Sequence, residues 1–197
     1  MNQAPTAEAA IEATRHWLEK AVIGLNLCPF AKGVHVKNQI RYVVSRARSA
    51  VELHEDLIEE LKTLQSANSD ELDTTLLIHP WVLRDFLDYN DFLAIADDTL
   101  AELGLEGEIQ IASFHPQYQF ADTEADDISN YTNRAPYPTL HLLRETSIDR
   151  AVNAFPDAKE VFEKNIETMN SLGHAGWQAL GMPLTSDLVS KENNEKQ

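Results

Sequence analysis

The sequence predicts an α/β (or α+β) single domain, with one mixed sheet of about four strands packed by helices. A ferredoxin-like arrangement is the alternative. Three observations carry the prediction. Four short apolar runs have strand character: residues 40–45, 74–78, 108–114 and 139–143. Helical patterns separate the first three, which calls for crossover connections and some parallel pairing. The last two are joined without a helix, which suits antiparallel neighbours.

Thr6 caps a first helix in which Ala10, Ala13, Trp17, Ala21 and Gly24 recur at helical spacing, beside Ile11, Leu18, Val22 and Leu25. Gly24 and Asn26 end it. Pro29 suits the first position of a short second helix, which places Cys28 at its N-cap. After the strand Ile40–Ser45, Ser49 and Glu52 have capping-box spacing. They open a helix with Leu53, Leu57, Leu61 and Leu64 on one face and a solvated face of Glu52, Glu55, Asp56, Glu59, Glu60 and Lys62. The run Thr74–Ile78 is apolar throughout, as in a strand covered on both faces. A helix starting near Arg84 runs through Phe92, Ala96 and Leu100 to Gly104. Following the strand that ends at Leu143, Ser147 caps a short helix. A last helix starts at Pro156-Asp157 and closes at Gly173. The domain spans residues 1–183, and the polar residues 184–197 form a frayed tail.

Composition is that of a globular chain, 43% hydrophobic and 24% charged over 197 residues. Asp and Glu number 32 against 16 Lys and Arg, giving a formal charge of −16. Such a surface repels phosphate backbones and anionic lipid, and no basic patch offsets it, so neither nucleic acid nor membrane is an expected partner. No apolar run approaches the ~20 residues of a membrane span. The first residues lack a secretory-signal pattern, and a cytoplasmic location is expected. The single cysteine excludes an intrachain disulfide.

The most informative stretch is Ser113–Glu145. Between its two strand ends lie roughly twenty residues without helical or strand period, a length unusual inside a compact domain unless functional or disordered. Five aromatics (Phe114, Tyr118, Phe120, Tyr131, Tyr137) argue for order. Its middle holds Asp126, Asp127, Asn130, Asn133 and Arg134. Arg134 suits bidentate recognition of a carboxylate or phosphate. Equally, it can pair with Asp126 or Asp127 and hold the loop closed.

Cys28 is the chain's only thiol, and a helix N-terminus there would favour the thiolate. The alternative is a small buried hydrophobe between Leu27 and Phe30. His115 and His79 each follow a strand end and precede a proline, where α/β folds place working side chains. His141 lies within a strand and reads first as a hydrogen-bonded structural residue. Arg144-Glu145 reads as a structural ion pair.

Four segments together, Gly24–Ala31, Asp88–Phe92, Gln110–Pro116 and Asn133–His141, resemble a bacterial family catalogued as domain-of-unknown-function family 1415. The resemblance extends from about Ala7 to Leu180. It implies a single compact cytoplasmic domain and transfers no activity, cofactor, partner or residue role.

Three functional readings follow. In the first, a small-molecule enzyme uses Cys28 as nucleophile or redox thiol and His115 as acid/base, with Asp126, Asn130, Asn133 and Arg134 binding an anionic small molecule. In the second, Cys28, His115 and His141 ligate a metal or haem iron. In the third, the loop is the surface of a non-catalytic binding module.

Overall fold

The β-branched and aromatic runs do pair into one sheet, in the spatial order β1-β2-β4-β3. The structure, a computed structural model, describes residues 5–154 and 161–182. The strands are β1 (Ile40–Val44), β2 (Thr74–Ile78), β3 (Ile109–Phe114) and β4 (Thr139–Arg144). β1 and β2 are parallel, with Ile40 opposite Thr74. β4 is inserted between β2 and β3 and runs antiparallel to both. The ferredoxin-like alternative is thereby excluded: the strands and intervening helices follow the order βαβαββ, where that fold requires βαββαβ.

The helices are α1 (Ala7–Trp17), α2 (Ala31–Val36), α3 (Ala50–Ser66), α4 (Phe86–Glu102), α5 (Glu145–Ala154) and α6 (Val161–Ala179). Alternation along the strands sends neighbouring side chains to opposite faces. On one face Leu77, Leu140, Leu142 and Ile109 pack against the stripe Leu53, Leu57, Leu61 and Leu64 of α3 and against Tyr89, Phe92 and Ala96 of α4. All four leucines of the stripe are fully buried, each contributing about 1.5–3 kcal/mol of burial. On the other face Ile40, Tyr42, Leu76 and Ile78 meet Ala10 and Ile11 of α1. Phe114 joins Trp17, Met169 and Trp177 there, bringing in α6.

Several local expectations need correction. α1 does not run on as an α-helix to Gly24: residues Leu18–Ile23 form a π-helical turn. A Cβ at Gly24 would collide with the Lys20 carbonyl oxygen, so glycine is required where that wide turn closes. Asn26 then reverses the chain with φ 55°. Phe30, not Cys28, holds the N-cap position of α2. α5 begins at Glu145, directly after β4, and Ser147 instead donates to Asp73 Oδ1 at 2.6 Å. α6 continues past Gly173, which kinks it with φ 62°. Glu60 is not solvated; it is 5% exposed beneath the Arg41 guanidinium, whose Nε and Nη2 donate to its two carboxylate oxygens at 2.8 and 3.1 Å. Arg144 forms no ion pair with Glu145 and donates to the carbonyls of Leu64, Ala67 and Leu72, satisfying the open end of α3. The expected start of the last helix at Pro156-Asp157 and the tail at 184–197 lie outside the described residues.

Candidate functional site

The first helical layer does not fill the sheet face. Where the π-helical turn, α2 and α5 meet β1, β2 and β4 they leave a cavity of about 320 Å³. That is within the range of small-molecule sites. Leu18, Val22, Ile40, Leu76, Phe114 and Leu143 form much of its wall. Trp17 sets Phe114 edge-on, with ring centroids 5.0 Å apart. Gln39 holds the neighbouring turn by donating to the carbonyls of Ser69 and Asp70 at 3.0 and 2.9 Å. Lys37 and Arg150 on its lining are exposed, and among the described residues neither is in an ion pair; Asp70 and Asp73 line it as well.

His141 projects from β4 into this cavity, and its ring is held by Thr74 at the start of β2. The hydroxyl of Thr74 lies 2.6 Å from the Leu142 carbonyl and 2.7 Å from His141 Nε2. Burial pushes the His141 pKa down to about 4, so the imidazole is neutral at physiological pH.

Cys28 opens into the same cavity. The amides of Phe30 and Ala31 favour its thiolate, as the turn expectation requires, but burial is the larger effect and raises the thiol pKa above its ordinary value. A resting thiolate is therefore not supported. Iodoacetamide at pH ~7.5 is expected to alkylate Cys28 more slowly than free glutathione, since burial lowers the thiolate fraction and limits access. Mass spectrometry of the folded protein checks this, and alkylation as fast as glutathione's would restore the nucleophile.

His115 is not brought to Cys28. It is fully buried beside α4, with its ring 5.1 Å from Tyr89 and 5.5 Å from Phe86. Its Nδ1 accepts from the Gln117 amide at 3.0 Å, and its Nε2 donates to the Leu83 carbonyl at 3.2 Å. Both nitrogens are thus spent on two loops on the α3/α4 side of the sheet. His79 is buried on that side as well, stacked on Tyr89, with Nδ1 donating to Val82. Aromatic packing closes this edge, where strand-end logic pointed for a site. With His115 across the sheet, the Cys28/His115/His141 ligand set is not assembled. Among the described residues no group of three or more His, Cys, Asp or Glu could hold a metal ion.

The long loop is ordered, as its aromatics suggested, around a 3₁₀ segment at Ile128–Asn133. Asn130, Asn133 and Arg134 are used internally. Asn130, fully buried, accepts from the Phe120 amide and the Thr123 hydroxyl and donates to the Glu124 carbonyl. Arg134, 4% exposed, donates to the carbonyls of Tyr118 and Ala125 and stacks 4.2 Å from the Tyr131 ring centre. Asn133 donates to the Ser113 carbonyl. Asp126 is exposed, and its carbonyl accepts from His174 of α6. A buried irregular segment must satisfy its backbone groups somewhere, and these side chains do it. Asn130, Asn133 and Arg134 are thereby engaged within the loop, while Asp126 is exposed.

The family model described as "Protein of unknown function (DUF1415)" matches residues 9–179. The chain belongs to that family. No curated protein and no solved structure matches it. Within this DUF1415 member, the role of Thr74 and the cavity itself escaped sequence reading. Thr74 lies 67 positions from His141 in the chain, so no local spacing announces their contact.

Proposed function

We propose that this protein binds a small, mostly apolar organic molecule with an anionic end in the cavity between the sheet and its first helical layer. The observation that carries the reading is the cavity itself. Its walls are mostly apolar, its volume is about 320 Å³, and its charged lining residues are Lys37, Arg144 and Arg150 against Asp70 and Asp73. Lys37 and Arg150, exposed on its lining, supply cations for an anionic group in a chain whose net charge is −16. Arg134, the anchor the sequence suggested for an anion, does not line this cavity.

Anilinonaphthalene sulfonate has the required apolar body and anion. Fluorescence titration is expected to show one saturable site, with near-ultraviolet dichroism of the protein retained. Leu143→Trp fills the cavity from β4 and should weaken binding roughly tenfold or more. No binding to the wild type, or equal binding to the filled variant, overturns the reading.

A catalytic reading has one observation in its favour: the Cys28 thiol and the His141 imidazole share this cavity, with Thr74 orienting the ring. It requires a substrate lying between them, because no hydrogen bond joins the sulfur to the imidazole among the described residues. Fast alkylation of Cys28 in the experiment above would favour it.

A further inference from the structure

We infer that the cavity selects ligands carrying a hydrogen-bond donor on the end that reaches β4, such as an aromatic acid with a hydroxyl opposite its carboxylate. The inference rests on the cavity being a small-molecule site, and deepens that reading. It follows from where one proton must be.

The Thr74 hydroxyl has a single proton. At 2.6 Å from the Leu142 carbonyl oxygen, which can only accept, that proton is committed to Leu142. Toward His141 Nε2, at 2.7 Å, the same oxygen must then accept. Nε2 therefore carries the ring's proton, and Nδ1 of the neutral ring is a bare lone pair. No described residue donates to Nδ1, and it is not among the buried unpartnered atoms, so it is open to the cavity. The strand register fixes this arrangement. Thr74 pairs with Leu143 on the neighbouring strand, which sets the hydroxyl beside both the Leu142 carbonyl and the His141 ring.

A ligand hydroxyl or N–H aimed at Nδ1 satisfies that lone pair. An ether or carbonyl oxygen in the same place faces it lone pair to lone pair, having given up its own water. The site therefore discriminates against acceptor-only groups. Lys37 and Arg150, also on the cavity lining, are the cations offered to the carboxylate.

The test compares a hydroxynaphthoic acid, its methyl ether and unsubstituted naphthoic acid by titration calorimetry. The hydroxy acid is expected to bind roughly tenfold tighter than either of the others, the usual scale of a well-placed buried hydrogen bond. His141→Phe should bring the three to within about twofold. Should that variant not fold, the nitrogen-15 shifts of His141 in the wild type decide: Nε2 must be pyrrole-like and Nδ1 pyridine-like. Equal binding of the three compounds, or the opposite tautomer, overturns the donor rule and leaves the cavity reading standing. Failure of all three to bind overturns both.

Discussion

Lowering the pH from 7 to 5 is expected to remove about 6 kcal/mol of folding stability, about 2 kcal/mol from each of three histidines. His79, His115 and His141 are neutral in the fold, where burial holds each pKa at about 4, against an ordinary value of 6.5. Between those values the unfolded chain takes up protons that the native state refuses. Stability therefore rises with pH across this window and falls as pH drops through it, the loss becoming complete near pH 4. His79 and His115 also repel one another when charged, and Arg134 disfavours charge on His115 while Asp85 favours it. Easing of the acidic surface's self-repulsion opposes the loss, so the imidazole sum is an upper figure. Against a typical total of ~5–15 kcal/mol, it is enough to unfold many domains. Urea unfolding at intervals of pH measures the slope. His79→Phe removes one of the three groups together with its buried, unpartnered Nε2, and should flatten the slope by one proton. A stability independent of pH between 7 and 5 would show that these rings are not held neutral.

Arg134→Ala should destabilise the protein by about 3 kcal/mol, the scale of losing two charge-assisted bonds from a buried guanidinium. The Tyr118 and Ala125 carbonyls would be left without their guanidinium, and Tyr131 without its stacked cation. Arg134→Lys should recover little, because an ammonium lacks the planar fork that reaches both oxygens. Limited proteolysis should cut the variant within residues 115–138. Anilinonaphthalene sulfonate binding should stay within about twofold of wild type under conditions where the variant is folded, since Arg134 does not line the cavity. Loss of binding without loss of stability would return Arg134 to the role of ligand anchor that its place in an acidic loop suggested.

Together these outcomes separate two parts of the molecule that the sequence ran together. The stretch Ser113–Glu145 was legible as ordered, from its aromatics, and as a connection between antiparallel strands. Its polar middle looked like a recognition surface because Asn and Arg serve ligands and buried carbonyls by the same hydrogen bonds. Only the burial of Asn130 and Arg134 distinguishes the two uses. Cys28 was legible as an unusual thiol in a turn. Its raised pKa was not, because burial depends on α1, α2 and the sheet meeting around it.

The sequence by itself determined the sheet's four strands, the stripe of leucines on α3, and the caps at Thr6 and Ser49. Each is written in residues close together in the chain, where periodicity, capping geometry and composition act locally. The tertiary structure alone decided strand order and site. Inserting β4 between β2 and β3 set His141 beside Thr74, turned it toward Cys28, and left His115 on the far face of the sheet. Those pairings join residues many positions apart, and a two-residue alternation within one strand cannot say which face the neighbouring strand presents.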